Sequence, residues 1–187
     1  MKVLVAVQRY GPEVAGGAEA HAREYALRLA ARGHAVEVLT SCARDETTWS
    51  DHFAAGSDVV EDILVHRLPV RRPRDPARFG SLAAAAEGRR GTPYWLQAEW
   101  MRQQGPWMPE LAGWMADRSH SFDVAVFIGG SYWLAWSGLG RCEPQASSSR
   151  SLTTTGLRGW LSTRVYTGAP TRSASRPRRR PSWCSRW

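Results

Sequence analysis

Cysteine is scarce in this sequence, and long apolar runs are absent. Only three cysteines are present; two lie within residues 141–187, and Cys42 stands alone with no metal-ligand spacing around it. We therefore expect neither a disulfide framework nor a metal site. No run of about 18 or more apolar residues occurs, so we expect no membrane-spanning helix. These absences favour a cytoplasmic protein, either free or at the inner face of the membrane.

The sequence also lacks the common glycine-rich nucleotide motifs. Its first glycine loop does not have the spacing G-x-G-x-x-G, and no G-x-x-x-x-G-K-[ST] occurs. Thr40 and Ser41 stand at the end of the second predicted strand, where a dinucleotide-binding domain carries an acidic residue. A nicotinamide dehydrogenase is therefore disfavoured, and no cofactor is expected.

An excess of positive charge is present, but only at one end of the chain. The net charge is +8, and residues 141–187 hold 10 arginines and one acid, Glu143. Residues 1–140 are left with 15 basic and 16 acidic residues, so the basic character does not describe them. We predict one domain over 1–140 and an Arg/Ser/Thr/Pro-rich tail over 141–187.

Three interpretations of the tail remain open. A segment so poor in periodic apolar residues does not offset its ordering entropy, so a disordered terminus is one. A basic arm for nucleic acid or acidic lipid is the second. The third is translation out of frame, because re-reading the codons one base over permits an apolar strand followed by an amphipathic helix. The arginine excess beside a single lysine, Lys2, fits a GC-rich gene of that kind.

The first 40 residues predict a β-α-β unit. An apolar run, 3–7, has the length of a buried strand, a helix with apolar residues at i, i+3, i+4 and i+7 spacing covers 18–32, and a strand covers 35–40. Gly33 stands where a helix needs a left-handed residue to end. The later elements are predicted as follows: a strand region 59–70 broken by Pro69, helices 78–87, 93–104 and 106–118, a strand 122–128, and a helix 132–139 capped by Ser131. This order predicts an α/β fold, a Rossmann-like parallel sheet flanked by helices.

Two glycine turns are the candidate binding sites. Gly16 and Gly17 follow the first strand and open a helix, where backbone N–H groups and the helix dipole favour a phosphate group. Glu19 lies in the first turn of that helix, either to stabilise its dipole or to contact substrate. The turn 129–131, Gly129-Gly130-Ser131, lies at the carboxyl end of the fourth strand, where open α/β sheets bind ligands. Each turn could also serve backbone geometry alone.

The opening of the chain resembles the N-terminal domain of family 4-like glycosyltransferases with the GT-B fold. The similarity is carried by residues 16–19 (Gly-Gly-Ala-Glu), by Leu27 and 29–30, and by 32–38 (Arg-Gly-His-Ala-Val-Glu-Val). It extends over about 1–140 and is strongest over 1–40. The resemblance implies a retaining enzyme of two domains that moves a sugar from a nucleotide-sugar donor to an acceptor. This chain would be the acceptor-side domain, inactive alone, with Gly16 and Gly17 near the donor diphosphate or an acceptor phosphate.

Aromatic residues are the remaining candidates. Trp100, Trp107 and Trp114 recur every seven residues, and each is followed by methionine. Together with Tyr10, the side chains of Trp100 and Trp107 could line an acceptor cleft, since sugars stack on aromatic faces. They could instead touch a lipid interface or belong to the core.

The expected partners follow from these features. They are a nucleotide-sugar as co-substrate and a carbohydrate or lipid-linked acceptor, with peripheral membrane contact as an option and no nucleic acid. No residue is identified as catalytic. A nonenzymatic module that binds a phosphorylated ligand remains one alternative, and nucleic-acid binding through the tail remains another.

Overall fold

A computed structural model describes residues 1–86 and 92–139 of the chain. The predictions that residues 141–187 form a disordered, out-of-frame tail separate from 1–140 therefore lie outside the described residues. So does the last residue of the helix predicted over 78–87.

The described residues form one five-stranded sheet with helices on its faces. In chain order the elements are β1 (Lys2–Ala6), α1 (Gly17–Ala31), β2 (Ala35–Ser41), β3 (Gly56–Val60), β4 (Ile63–Leu68), α2 (Pro76–Ala86), α3 (Tyr94–Gln104), α4 (Leu111–Arg118), a 3-10 turn (Ser119–Ser121), β5 (Val124–Phe127) and α5 (Trp133–Gly138). The strand order is β3-β4-β2-β1-β5. Only β3 is antiparallel to its neighbour. The predicted α/β class, a largely parallel sheet flanked by helices, is confirmed.

The β1-α1-β2 unit forms as the sequence predicts. Alternate β1 residues pack on opposite faces, with Val3 and Val5 toward α1 and Leu4 on the far side. Helix α1 buries Ala22 and Ala26 against the sheet, and Gly33 follows its last turn with φ 81°. Small alanines let the helix approach the strands closely, and glycine adopts this left-handed conformation without a Cβ penalty.

The prediction of one strand region over 59–70 is wrong. The chain instead forms the hairpin β3-β4, reversing at Glu61 and Asp62, which have φ of 52° and 62°. Two consecutive left-handed residues match the twist of a two-residue hairpin turn. Sequence reasoning missed the turn because neither residue is a glycine. Pro69 follows the end of β4 and does not interrupt it.

Two predicted helix starts also differ from the structure. The helix expected from Pro106 begins at Leu111, because Pro109 would remove an N–H group and clash inside a helix. Ser131 does not cap α5: Tyr132 holds the N-cap position, and no side chain caps this helix.

The core has one layer on each face of the sheet. The layer opposite α1 contains Met101, Met108 and Met115, all with no exposed surface, packed among the side chains of α3, α4 and α5. The tryptophan that precedes each methionine is half-buried at the border of this layer. The heptad repeat therefore describes core packing across a proline-broken segment. No helix in the described part of the chain is long and apolar enough to cross a membrane.

Candidate functional site

The order of the strands creates a crevice between β1 and β5. From β1 the chain moves outward through β2 to the hairpin, and only later crosses to β5 on the other side of β1. The loops that leave β1 and β5 therefore diverge at the carboxyl edge of the sheet. Such a switch point is where open α/β sheets bind ligands. Both glycine turns singled out from the sequence lie here.

Gln8 holds the two loops together. Its side-chain amide Nε2 donates to the carbonyl oxygens of Ile128 and Gly129, each at 2.9 Å. Gly129 has φ 86°, and a Cβ added there would lie 2.0 Å from Gln8 Nε2. This position therefore needs glycine to maintain the contact between the loops. Gln8 was not identified from the sequence, because its partners are 120 residues or more away.

Position 16 also needs glycine, because neighbouring side chains leave no room for a Cβ there. It has φ 148°, and a Cβ added there would lie 2.1 Å from Glu19 Oε2 and 2.9 Å from Arg9 Nη2. The space beside Gly16 is filled by an ion pair between these two side chains. The absence of a side chain at Gly16 thus serves the internal packing of the loop, whatever the loop binds.

Glu19 is committed to Arg9. Arg9 Nη2 lies 2.8 Å from Glu19 Oε1, and Nε donates to the same oxygen at 2.9 Å. The exposed fractions of the two side chains are 7% and 8%. Arg9 also donates to the carbonyl of Arg44 at 3.3 Å and to Glu46 at 3.5 Å. Glu19 therefore fixes the loop after β1, a role that neither sequence interpretation of this residue included.

Gly17 differs from the other turn glycines. It is exposed, and a Cβ added there would meet nothing within 4 Å. No side chain caps the helix that starts at this residue, so its first N–H groups keep their hydrogen-bonding capacity. Gly17 is thus a predicted phosphate-binding residue whose surroundings leave room for a ligand to approach its backbone.

Gly130 and Ser131 are half-buried in the turn between β5 and α5. The turn is closed by the N–H of Tyr132, which donates to the Gly129 carbonyl at 3.2 Å. The hydroxyl group of Ser131 has no role in capping α5. The structure thus places all six predicted residues of the two glycine turns at one edge, with Glu19 and Gly129 occupied internally.

Further side chains complete this edge, and we call Glu46, Trp49, Arg74 and Tyr132 the edge cluster. Trp49 packs edge-on against Tyr132 at 5.7 Å between ring centroids, and the Arg74 guanidinium carbon lies 5.4 Å from the Trp49 ring. Arg74 donates to the carbonyls of Gln103 and Gln104, and it makes no ion pair among the described residues. These residues come from the loops after β2, β4 and β5, and sequence spacing does not reveal that they meet.

Burial affects the ionisation of the edge cluster. The pKa of Tyr132 is raised, first by burial and then by the carboxylates of Glu46 and Glu19. The pKa of Arg74 is lowered by burial, and Tyr132 and Glu46 act against that change. At neutral pH the edge thus presents a protonated phenol and a guanidinium group, both hydrogen-bond donors suited to an anionic oxygen.

The residues predicted to line an acceptor cleft do not meet. Tyr10 has no exposed surface and lies in the layer facing α1, whereas Trp100 and Trp107 border the layer on the opposite face. Burial, together with the Glu61 carboxylate, raises the pKa of Tyr10 to about 12. Trp107 has the guanidinium carbon of Arg72 at 5.0 Å from its ring centre. In this structure the three aromatic rings are engaged in packing.

Metal and thiol chemistry find no support in the described residues. These residues contain no group of three or more His, Cys, Asp or Glu side chains able to hold a metal ion. Cys42 is a buried free thiol, and burial, followed by the Asp51 carboxylate, raises its pKa to about 11. A protonated, enclosed thiol is a poor nucleophile.

Comparison with known proteins gives no functional assignment, so a function can be proposed only from the geometry of this site. No protein-family model matches the chain, and neither a curated protein nor a solved structure matches it.

Proposed function

We propose that the carboxyl-edge crevice between β1 and β5 binds a sugar phosphate or nucleotide-sugar. On this proposal the domain is the acceptor-side half of a retaining GT-B glycosyltransferase. Its partners are a nucleotide-sugar donor and a carbohydrate or lipid-linked acceptor. The proposal rests first on Gly17, an exposed, uncapped helix start at the switch point of the sheet.

The backbone of α1 supplies the attraction for phosphate. The first N–H groups of a helix point along the helix axis, outward from its N-terminus, and carry a partial positive charge. An anion bound there is therefore stabilised. The internal clamps at Gln8 and at Arg9–Glu19 hold this helix start in one position. Binding to a fixed site avoids much of the cost of ordering loops.

The edge cluster supplies features suited to the sugar side of the ligand. Tyr132 is a half-buried aromatic ring that packs on the buried Trp49, and Arg74 keeps a positive charge that no carboxylate of the described residues neutralises by ion pairing. Aromatic faces pack on the apolar faces of sugar rings, and guanidinium groups favour phosphate oxygens. This combination favours a phosphorylated sugar over inorganic phosphate alone.

Sugar transfer is expected to need more than the described residues. They form a single α/β domain, and the resemblance assigns donor binding to a second one. We therefore expect this chain to bind a phosphorylated sugar but to transfer no sugar by itself.

Calorimetric titration of the full chain tests the proposal, with glucose 1-phosphate, UDP-glucose and inorganic phosphate as probes. We expect glucose 1-phosphate or UDP-glucose to bind more tightly than inorganic phosphate. Gly17→Ala should weaken that binding about tenfold or more, because a methyl group then stands where the phosphate approaches the amides. Gly113→Ala is the matched control, since its Cβ also meets nothing within 4 Å and lies in another helix.

Each other outcome has a distinct meaning. If neither phosphorylated sugar binds, the proposal is wrong. Equal binding to Gly17→Ala and the parent chain would move the site away from this crevice. Equal affinity for inorganic phosphate would favour the nonenzymatic phospholigand module over an acceptor-side glycosyltransferase domain.

A further inference from the structure

A chain of hydrogen bonds crosses three neighbouring strands, β3, β4 and β2, on the side of the sheet where β3 is the outermost strand. Ser57 lies on β3, His66 on β4 and Glu37 on β2. Ser57 and His66 are direct partners across the β3-β4 hairpin, and Glu37 is paired in register with Leu64, two residues before His66. All three side chains therefore project from the same face of the sheet.

The distances form a continuous relay. Ser57 Oγ lies 2.8 Å from His66 Nδ1, and His66 Nε2 lies 2.7 Å from Glu37 Oε2. Lys2 Nζ lies 2.9 Å from the second oxygen, Glu37 Oε1. A nucleophile within hydrogen-bond reach of a base, with the base oriented by a third group, is the general signature of an activated nucleophile.

Burial differs along the relay in a direction that suits nucleophilic chemistry. The side chain of His66 is 4% exposed and that of Glu37 is 16% exposed, while Ser57 is exposed to solvent. The Trp114 ring lies 5.2 Å from the imidazole ring and covers it. The hydroxyl group is thus accessible to a reagent, whereas the base is buried and its orienting carboxylate is partly buried.

The direction of the protons follows from the carboxylate. Burial is the largest single influence on Glu37 and acts to raise its pKa, but the hydrogen bonds from Lys2 and His66 together bring that pKa below its usual value. At neutral pH Glu37 is therefore ionised and only accepts hydrogen bonds. His66 Nε2 is then the donor in this pair, and in the tautomer that carries its proton on Nε2 the Nδ1 atom is an acceptor for the Ser57 hydroxyl proton.

The open strand edge provides a backbone donor beside Ser57. The N–H of Val59 donates to the side chain of Asp58 at 2.8 Å rather than to β4. Because N–H groups alternate in direction along an antiparallel strand, the N–H of Ser57 also faces the open edge. An N–H next to an attacking oxygen can stabilise the oxyanion of a tetrahedral intermediate.

We infer that Ser57 is a nucleophilic serine, that His66 is its general base, and that Glu37 is the residue that positions the imidazole. The substrates that we assign to this site are small carboxylic esters, which can reach a serine on an open edge strand. This site lies at the β3-β4 edge, remote in the strand order from the β1-β5 crevice, and does not depend on the sugar-phosphate proposal.

The step conserves atoms and protons. Ser57 Oγ bonds to the ester carbon while its proton passes to His66 Nδ1. The tetrahedral intermediate then loses the ester's alcohol group, which takes that proton from His66, and an acyl-serine remains. Water attacks the acyl carbon in the same way, giving the free acid and restoring the serine hydroxyl.

Labelling of the full chain with a fluorophosphonate tests this inference, because the reagent forms a P–O bond to an activated serine and releases fluoride. We expect one fast adduct, located by peptide mapping at Ser57. Ser57→Ala should abolish the adduct, and its exposed position makes loss of the fold unexpected. Ser50→Ala, at another exposed serine, is the control and should label like the parent chain.

The base and its positioning residue are tested by rate. General-base assistance is worth about 100-fold or more, so His66→Gln should slow labelling by at least about that factor. Glu37→Gln should slow it less and move the midpoint of the rate against pH to a lower value. The reason is that the protonated imidazole then loses the carboxylate that stabilises it, while Ser57 and Trp114 still face the ring. Circular dichroism checks that each variant is folded. If His66→Gln does not fold, the labelling rate of Glu37→Gln tests the inference instead.

Three results would overturn the inference. They are no adduct at Ser57, labelling of Ser57 no faster than labelling of Ser50, and unchanged labelling in a folded Glu37→Gln variant. Hydrolysis of p-nitrophenyl acetate provides an independent readout, since it should fall to the background rate in Ser57→Ala and remain unchanged in Ser50→Ala.

Discussion

The β1-β5 crevice and the β3-β4 hairpin each lie beside a polar network, and the two networks end in different ways. Beside the β1-β5 crevice, Arg9 and Glu19 are both buried and bind each other, and Arg9 also contacts the Arg44 carbonyl and Glu46. We call this network closed because its buried groups bind one another within the domain. At the β3-β4 edge, the network from Lys2 through Glu37 and His66 ends at the exposed hydroxyl of Ser57. A closed network fixes the backbone, and the available binding groups are then amides such as that of Gly17. An open network leaves a side chain free to react.

Removing one partner of the closed network should have the largest effect. Arg9→Ala leaves the Glu19 carboxylate buried without its partner, which typically costs about 3–5 kcal/mol of unfolding free energy. Arg28→Ala is the matched control, because its ion pair with Glu24 is exposed and should cost at most about 1 kcal/mol. Urea denaturation measures both. Equal losses would mean that the Arg9–Glu19 pair does not fix the loop.

Breaking the clamp between the two loops should have the next largest effect. Gly129→Ala puts a Cβ 2.0 Å from the Gln8 amide at a left-handed φ, so we expect a loss of about 2 kcal/mol. Gly17→Ala, at an unobstructed helix start, should be neutral or stabilising by up to about 1 kcal/mol. Thermal denaturation of the two variants provides the comparison, and a stable Gly129→Ala would contradict the account of the clamp.

The open network should respond to acid. A carboxyl group whose pKa is lowered by folding stabilises the protein above its ordinary value of 4.5, and this contribution is lost as the pH falls through the lower, folded value. The unfolding free energy of Glu37→Gln should therefore fall less between about pH 7 and about pH 3 than that of the parent chain. Glu24→Gln, at an exposed ion pair, should keep the parent slope. An unchanged slope in Glu37→Gln would show that Glu37 adds nothing to acid sensitivity.

Ser57 itself should matter least for stability. Ser57→Ala removes one hydrogen bond at the surface, where water can replace it, so we expect a loss of at most about 1 kcal/mol. Urea denaturation checks this at neutral pH. A loss as large as that of Arg9→Ala would make the serine part of the architecture and remove the contrast between the two networks.

Sequence reasoning succeeded where the signal is local. The apolar run of β1, the small-residue face of α1 and the glycine at position 33 each specify their element without help from distant residues. The position of the two glycine turns at one edge followed from the parallel order of the strands. The hairpin turn at 61–62 was missed because its residues lack the usual glycine.

The side-chain constellations could not be predicted in the same way. Arg9 and Glu19 are ten residues apart in sequence and meet across the irregular loop between β1 and α1, and Gln8 reaches carbonyl groups just after β5. Ser57, His66 and Glu37 come together only through strand register, which the sequence pattern left open. Long-range contacts depend on the order of strands in the sheet, and a single sequence does not contain that order explicitly.

The amide resonance of Gly17 tests the central claim most directly. The 15N–1H spectrum of the full chain should be recorded while glucose 1-phosphate is added, with the Gly113 amide as an internal control. The sugar-phosphate proposal predicts a saturable shift of the Gly17 and Ala18 amides, because the phosphate binds the uncapped start of α1, and no shift at Gly113. Unmoved Gly17 and Ala18 amides at saturating ligand would contradict it.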